Sequence, residues 1–435
     1  MERDVRRTLG DVLEVSRGIS WEAHDERDQP RSGVYPVLRI PNVQDQLVLE
    51  GLLHIRVRSP AMAAACMANP GTILLVGSNG NPERVGNAVY VERGGHLFAS
   101  FLMGARVRAG ADTDPKFLFH YVASPRVQDM LTRSVQGTTG LKNLSEKTVT
   151  GMLLPDLPIA EQRRTVEVLD TLDDAIRGTE QLVKKLERMK RGLLHDLLTR
   201  GIDDNGELRD PNRHPKQFKG SPLGRLPRSW DVVVVRDAGS VRLGRQRAPH
   251  LERGPHLHPY LRVANVYDGW INYSDILCMN FTPEERTAYS VEPGDIFLNE
   301  GQSLELVGRS AVYDGPPGVY CFQNSLVRFR CHPTRCVPGY AQAVFKNWLD
   351  TRQFTRVARQ TTSMAHLGAD RFASMMFPVP PLREQEAIAR RLDVLRNRGT
   401  NEALLQTKLR LLKRGLSDDL LTGRVRVAGA EQVNA

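Results

Sequence analysis

Hydrophobic positions recur at intervals of three, four or seven along two widely separated stretches of the chain. Val166, Leu169, Leu172, Ile176, Val183, Leu186, Leu193 and Leu197 keep this rule in the first; Ile388, Leu392, Leu395, Leu405, Leu409, Leu412, Leu416 and Leu420 keep it in the second. Charges of both signs lie between them. The spacing predicts two amphipathic helices with a coiled-coil-like seam, each roughly 40 residues and about 60 Å long. Gly178 and Gly399 fall inside them, each within an Arg-Gly-Thr triplet. A glycine there costs about 1 kcal/mol relative to alanine, so a kink or frayed turn is expected.

Upstream of each helix the period shortens. Thr72 to Val76, Ala88 to Val91, Val232 to Val235, Asp295 to Leu298 and Leu326 to Arg330 are β-type runs separated by Gly, Pro and Asn clusters. They predict two mixed domains with several short strands. A further helical stretch follows the last strand of each domain. In the second it sets Arg352, Arg356 and Arg359 at i, i+4 and i+7, on one face. The Gly- and Pro-rich segment from Asn205 to Pro227 reads as an irregular linker.

The chain is written twice. Pro158-Ile-Ala-Glu-Gln162 returns as Pro381-Leu-Arg-Glu-Gln385, and Lys190-Arg-Gly-Leu193 as Lys413-Arg-Gly-Leu416, at a constant offset of 223 (385 against 162). The same step joins Pro36, Leu38, Arg39, Asn42 and Val43 to Pro259, Leu261, Arg262, Asn265 and Val266. A repeat this long duplicates whole domains, so two like binding sites follow.

At 435 residues the chain is long enough for conventional cores, and its formal net charge of +10 favours a polyanionic partner, with nucleic acid foremost. Five cysteines make no disulfide framework. No signal peptide or membrane-spanning run is evident, so a cytoplasmic location is expected.

The paired Pro-(Leu/Ile)-x-Glu-Gln helix starts, the Leu-Arg-x-x-Asn-Val segments, the Leu-Pro-x-x-Trp lead-in of the second half (Leu226, Pro227, Trp230) and Pro293-Gly-Asp-Ile296 together carry a resemblance over nearly the whole chain. The chain is similar to the specificity (S) subunits of Type I restriction-modification systems. It departs from them in Thr72, where the family usually has Asp, and in lacking a Leu-Pro-x-x-Trp lead-in to the first half.

The resemblance implies an α+β fold of two mixed α/β target recognition domains in tandem, separated by two long antiparallel coiled-coil-like helices. The expected limits are recognition domain 1 over 1–154, the central helix over 155–201, a linker over 202–228, recognition domain 2 over 229–377, the distal helix over 378–424 and a tail over 425–435. It further implies a subunit without chemistry of its own. Each domain would read half of a split DNA site, while the helices set the spacer and dock two methyltransferase subunits, joined by endonuclease/translocase subunits. No cofactor is expected in this chain; S-adenosylmethionine, ATP and magnesium would belong to the partners.

Base readout needs planar bidentate side chains, chiefly Arg, Asn and Gln, whereas phosphate contact needs only cations, hydroxyls and backbone N–H groups. The loop with Ser78, Asn79, Asn81 and Arg84 has that repertoire, as does its counterpart with Gln302 and Ser303, although an ordinary Asn-Gly turn would read alike. Arg39 with Asn42 and Arg262 with Asn265 are DNA-facing candidates; the alternative is an Asn closing a turn and an Arg paired with a carboxylate. Thr138, Thr139 and Lys142, and Thr361 and Thr362, suit phosphate beside Arg352, Arg356 and Arg359. Between Asn212 and Arg253 ten Lys or Arg stand against three acids, and Arg242, Arg245, Gln246 and Arg247 are the DNA candidates there. Glu161, Gln162, Glu384 and Gln385 are expected to contact the helix or the methyltransferase. Cys331, His332 and Cys336 match no zinc spacing.

Chemistry is not written into the chain. Asp114-Pro-Lys-Phe117 places Lys where an amino-methyltransferase needs Pro, and there is no phosphate-binding Gly-x-x-x-x-Gly-Lys-Ser/Thr. A helical scaffold whose variable domains bind protein or RNA is the competing reading.

Overall fold

The structure, a computed structural model, describes residues 7–29, 31–135, 142–360 and 364–427. The chain forms two compact units, one of residues 1–181 with 403–435 and the other of 182–402. The division runs through the long helices rather than at their ends, so each helix gives one half to each unit.

In the first unit, β1 (Leu13–Arg17), β2 (Ile73–Val76), β3 (Ala88–Tyr90) and β4 (Leu102–Val107) make an antiparallel sheet in the order β1-β4-β2-β3. All four residues of β2 are buried, as expected of a central strand covered on both faces. One face receives α1 (Pro115–Ala123) through Phe117, Leu118 and Val122, and the same core takes Val166 and Leu169 of α2 (Ile159–Thr199) and Leu421 from the end of the second long helix. A five-stranded sheet stands beside it, containing the parallel pair Val37↔Leu97 and Leu38↔Phe98.

The second unit repeats this plan. Strands β5 (Gly239–Leu243), β6 (Ile296–Asn299), β7 (Ser310–Val312) and β8 (Leu326–Cys331) pair antiparallel in the order β5-β8-β6-β7. Helix α3 (Pro338–Asp350) supplies Tyr340, Val344, Phe345 and Trp348 to the core, followed by the short α4 (Gln353–Val357). The smaller sheet again has a parallel pair, Tyr260↔Cys321 and Leu261↔Phe322.

Helix α2 has 41 residues and the second long helix, α5 (Leu382–Leu421), has 40. Both run unbroken through Gly178 and Gly399, contrary to the expected kinks. Tertiary burial of Ile176 and Thr179 beside Gly178 outweighs its weak helix propensity. Within the first unit the two halves lie antiparallel: Lys413 pairs with Asp173 at 2.5 Å and Arg410 with Glu180 at 2.6 Å. Within the second, Leu194, Leu197 and Leu198 share a core with Ile388. The seam differs from the expected one at Leu405 and Leu412, which are 46% and 50% exposed. Leu409, Leu416 and Leu420 take the inward line instead.

The expected irregular linker is regular. Phe218–Ser221 and Gly224–Pro227 form a hairpin in register Phe218↔Pro227, its turn closed by Gly224 at φ +96°. Leu226 and Trp230 are buried with Leu197 and Ile202, which is why the Leu-Pro-x-x-Trp string is there. The glycines and prolines mark turns between short elements, not loss of structure.

Candidate nucleic-acid interface

The repeated Glu-Gln at each helix start is the best-defined polar arrangement, and it faces inward. Gln162 Oε1 accepts the N–H of Asp114 at 2.9 Å while its Nε2 donates to Leu157 O at 2.8 Å. Gln385 Oε1 accepts the N–H of Val337 at 2.9 Å while its Nε2 donates to Pro380 O and Arg335 O. Both glutamines are buried, and Asp114 and Val337 cap α1 and α3. Glu384 accepts from Ile202 N–H at 2.9 Å and forms a two-pronged pair with Arg209. Glu161 pairs with Arg426. These four residues are therefore internal ties: of the two roles expected of them, the contacts within the chain are the ones they make here, rather than contacts to a partner.

Asn42 and Asn265 are corrected in the same way. Each is buried; Asn42 Oδ1 accepts the N–H of Arg39 at 2.8 Å and Asn265 Oδ1 that of Arg262 at 3.0 Å, and each amide donates to two carbonyls across a turn. Both amide donors are spent and the side chains are buried, so neither Asn presents a two-pronged edge to a base. Arg39 donates to Gly51 O, and Arg262 pairs with Asp275. Structural turns explain the Arg-x-x-Asn repeat.

The two loop candidates at the sheet ends divide. Ser78 is buried and bonded to Asn143, and Arg17 braces the same loop by donating to Leu144 O at 2.6 Å. Asn79 and Asn81 accept from Asn81 and Glu83 N–H, each at about one turn's reach, with Arg84 half-buried beside them. Lys142 lies in a strand paired with Asn79. In the second unit Gln302 pairs with Ala365 in a short strand, and Ser303 O accepts the N–H groups of Leu306 and Val307. Thr138, Thr139, Thr361 and Thr362 lie outside the described residues.

Among the arginines, Arg245 is an internal residue: it donates to Glu285 at 2.7 Å and sits over Phe281. Arg242 is exposed over Tyr289, Gln246 is exposed, and Arg247 pairs with Glu252 at 2.5 Å. Arg352, Arg356 and Arg359 are all exposed, but not on one helix. Arg352 caps α4 at φ 57°, Arg356 is in α4, and Arg359 is in a two-residue strand opposite His366. The break after Asp350 overrides the helical spacing. Among the described residues none of the three forms an ion pair.

Against that geometry, the sequence model of the Type I restriction modification DNA specificity domain matches residues 2–188. The Type I restriction enzyme MjaVIII specificity subunit of Methanocaldococcus jannaschii is 20% identical over 92% of this chain and 88% of its own. The EcoKI specificity subunit of Escherichia coli is 22% identical over 88% and 80%. Among solved structures, the Type-I restriction-modification S subunit from M. genitalium shares the fold at TM-score 0.56, with 11% identity and 97% of both chains covered. A chain from a type I R-M system solved for its assembly and conformational transition gives 0.53, at 17% identity over 96% and 97%. The chain is thus similar along most of its length to Type I specificity subunits.

The chain also holds features that the motifs did not disclose. Buried His120 and half-buried Lys116 of α1 clamp Asp170 of α2 at 2.9 and 2.7 Å. Burial alone would raise the Asp170 carboxyl, but the hydrogen bonds from His120 and Lys116 bring it down to about 2. In the second unit Arg328 is buried against Phe322, and desolvation lowers it to about 10. The turn at Tyr267 to Trp270 was also missed; its signal was a lone aromatic pair in a turn whose counterpart, Gln44 to Gln46, has none. Among the described residues no cluster of three or more His, Cys, Asp or Glu could hold a metal, and no helix is long and apolar enough to cross a membrane.

Proposed function

We propose that this chain is the non-catalytic DNA-recognition subunit of a Type I assembly, each unit's recognition domain reading one half of a bipartite site. Two sheets of the same strand order, each joined to halves of the same two long helices, carry this reading. Recognition domains fixed on rigid helices read two short sequences across a gap of set length. Exposed cations such as Arg352, Arg356, Arg359 and Arg242 supply the phosphate contacts that position a duplex. The exposed apolar side chains of α5, Val394, Leu404, Leu405, Leu411 and Leu412, offer the helix surface for methyltransferase docking. Two such subunits, with endonuclease/translocase subunits, complete the complex, and S-adenosylmethionine, ATP and magnesium are assigned to those partners.

The test is to co-express the chain with its methyltransferase and map methylated adenines across the host genome. A split motif with a fixed gap, lost when the chain is deleted, is expected. Methylation that persists on deletion would reject the role and leave a scaffold for protein or RNA as the better reading.

A further inference from the structure

The turn Tyr267–Trp270 is built in a way its counterpart is not. In the first unit the bridge Val43↔Leu47 closes the turn, and in the second Val266↔Ile271 does, so the second turn is one residue longer. Its base is clamped by buried Asn265, which donates to Asn272 O at 3.0 Å and Asp275 O at 2.9 Å. Tyr267 N–H donates to Trp270 O at 3.0 Å, and Gly269, at φ +82°, donates to Ser310 O at 2.9 Å. Asp268 is held by Lys346 at 3.0 Å.

On this rigid turn Trp270 stacks on Tyr267 with centroids 4.6 Å apart and planes 15° apart, and the Arg309 guanidinium lies 4.8 Å over the Tyr267 ring. Half of Trp270, 53%, remains exposed. Hydrophobic burial does not explain a large indole fixed this firmly in water, whereas a stacking surface for a ligand does. The charge around it selects the ligand. Gly308, next to Arg309, abuts Phe354 of α4, so the aromatic stack adjoins the helix that carries exposed Arg352 and Arg356. A π face beside exposed cations fits a nucleobase attached to its phosphate backbone.

We propose that Trp270 stacks on a base at an opened or kinked step of the half-site read by the second unit, with Tyr267 and Arg309 as positioning residues. This rests on the DNA-reading proposal. It also makes the two recognition domains unequal, since Gln44, Asp45 and Gln46 give the first unit no such surface.

The probe is a labelled duplex carrying the mapped methylation motif, titrated with full-length chain. Trp270→Ala should weaken binding roughly tenfold to a hundredfold. It should leave the salt slope unchanged, because no counterion is released by an uncharged contact. Trp270→Phe should keep most of the affinity, and the DNA-induced quenching of tryptophan emission should vanish in it although Trp21, Trp230 and Trp348 remain. Wild-type affinity in Trp270→Ala, or quenching unchanged in Trp270→Phe, would overturn the assignment while leaving the DNA-reading proposal standing. A wild-type chain that does not prefer the duplex to a scrambled one would overturn both.

Discussion

Gln385 takes the N–H of Val337 at 2.9 Å, and 223 positions earlier Gln162 takes the N–H of Asp114 at the same distance. Each bond ties the start of a long helix to the start of the helix that covers its own domain's sheet. The amide's other end holds the carbonyl five residues upstream, so one side chain sets the angle at which the chain enters the helix. Replacing either glutamine by alanine leaves a buried N–H and at least one carbonyl unpaired, at about 1 to 3 kcal/mol. Urea unfolding of Gln162→Ala and Gln385→Ala should show that loss; an unchanged midpoint would mean that water replaces the amide.

The Asp170 clamp predicts a pH dependence confined to acid. Its folded carboxyl lies near 2 against an ordinary 3.8, so the group is depressed. Its stabilisation is complete above about pH 4 and is lost as pH falls through 2. The gap in melting temperature between wild type and Asp170→Asn should therefore be constant from neutral pH to about 4 and shrink below it. A gap that widens on acidification would show that the carboxylate is not the stabilised form.

Much of this fold was legible because its signals are periodic or repeated. The β-type runs at Thr72 to Val76 and Leu326 to Arg330 match central strands, and the three-four spacing locates both long helices. What failed depends on direction rather than type. Glu-Gln at a helix start reads alike whether it faces a partner or a buried N–H, and Arg-x-x-Asn reads alike whether it meets a base or closes a turn. Arg352, Arg356 and Arg359 fit helical spacing, but the backbone turns through a left-handed residue at Arg352 and ends that spacing. Trp270 has no aromatic counterpart in Gln44 to Gln46, so the repeat does not mark it.

The two mid-helix glycines supply a prediction about rigidity. A Cβ at Gly178 or Gly399 would meet nothing within 4 Å, and both already sit in unbroken helix. Alanine at either should raise stability by about 1 kcal/mol, partly by restricting the unfolded chain. Thermal melting of the single and double variants checks this, and destabilisation would mean that the added methyl groups meet a neighbour or that the helix needs a flexible point there.

The exposed arginines can be assigned to phosphate or to base by salt alone. A cation on a phosphate displaces condensed counterions and adds about 0.9 to the slope of log affinity against log salt, whatever the sequence. Arg356→Ala and Arg359→Ala should each weaken binding to specific and scrambled duplexes by the same factor and lower that slope by about one. Arg352 offers a control through its backbone: at φ 57° glycine is the favoured residue, so Arg352→Gly removes the charge while relieving strain of about 1 kcal/mol. That variant should gain stability and lose slope together, which no general damage to the domain can imitate. Loss confined to one duplex sequence would instead make the arginine concerned a reader of bases.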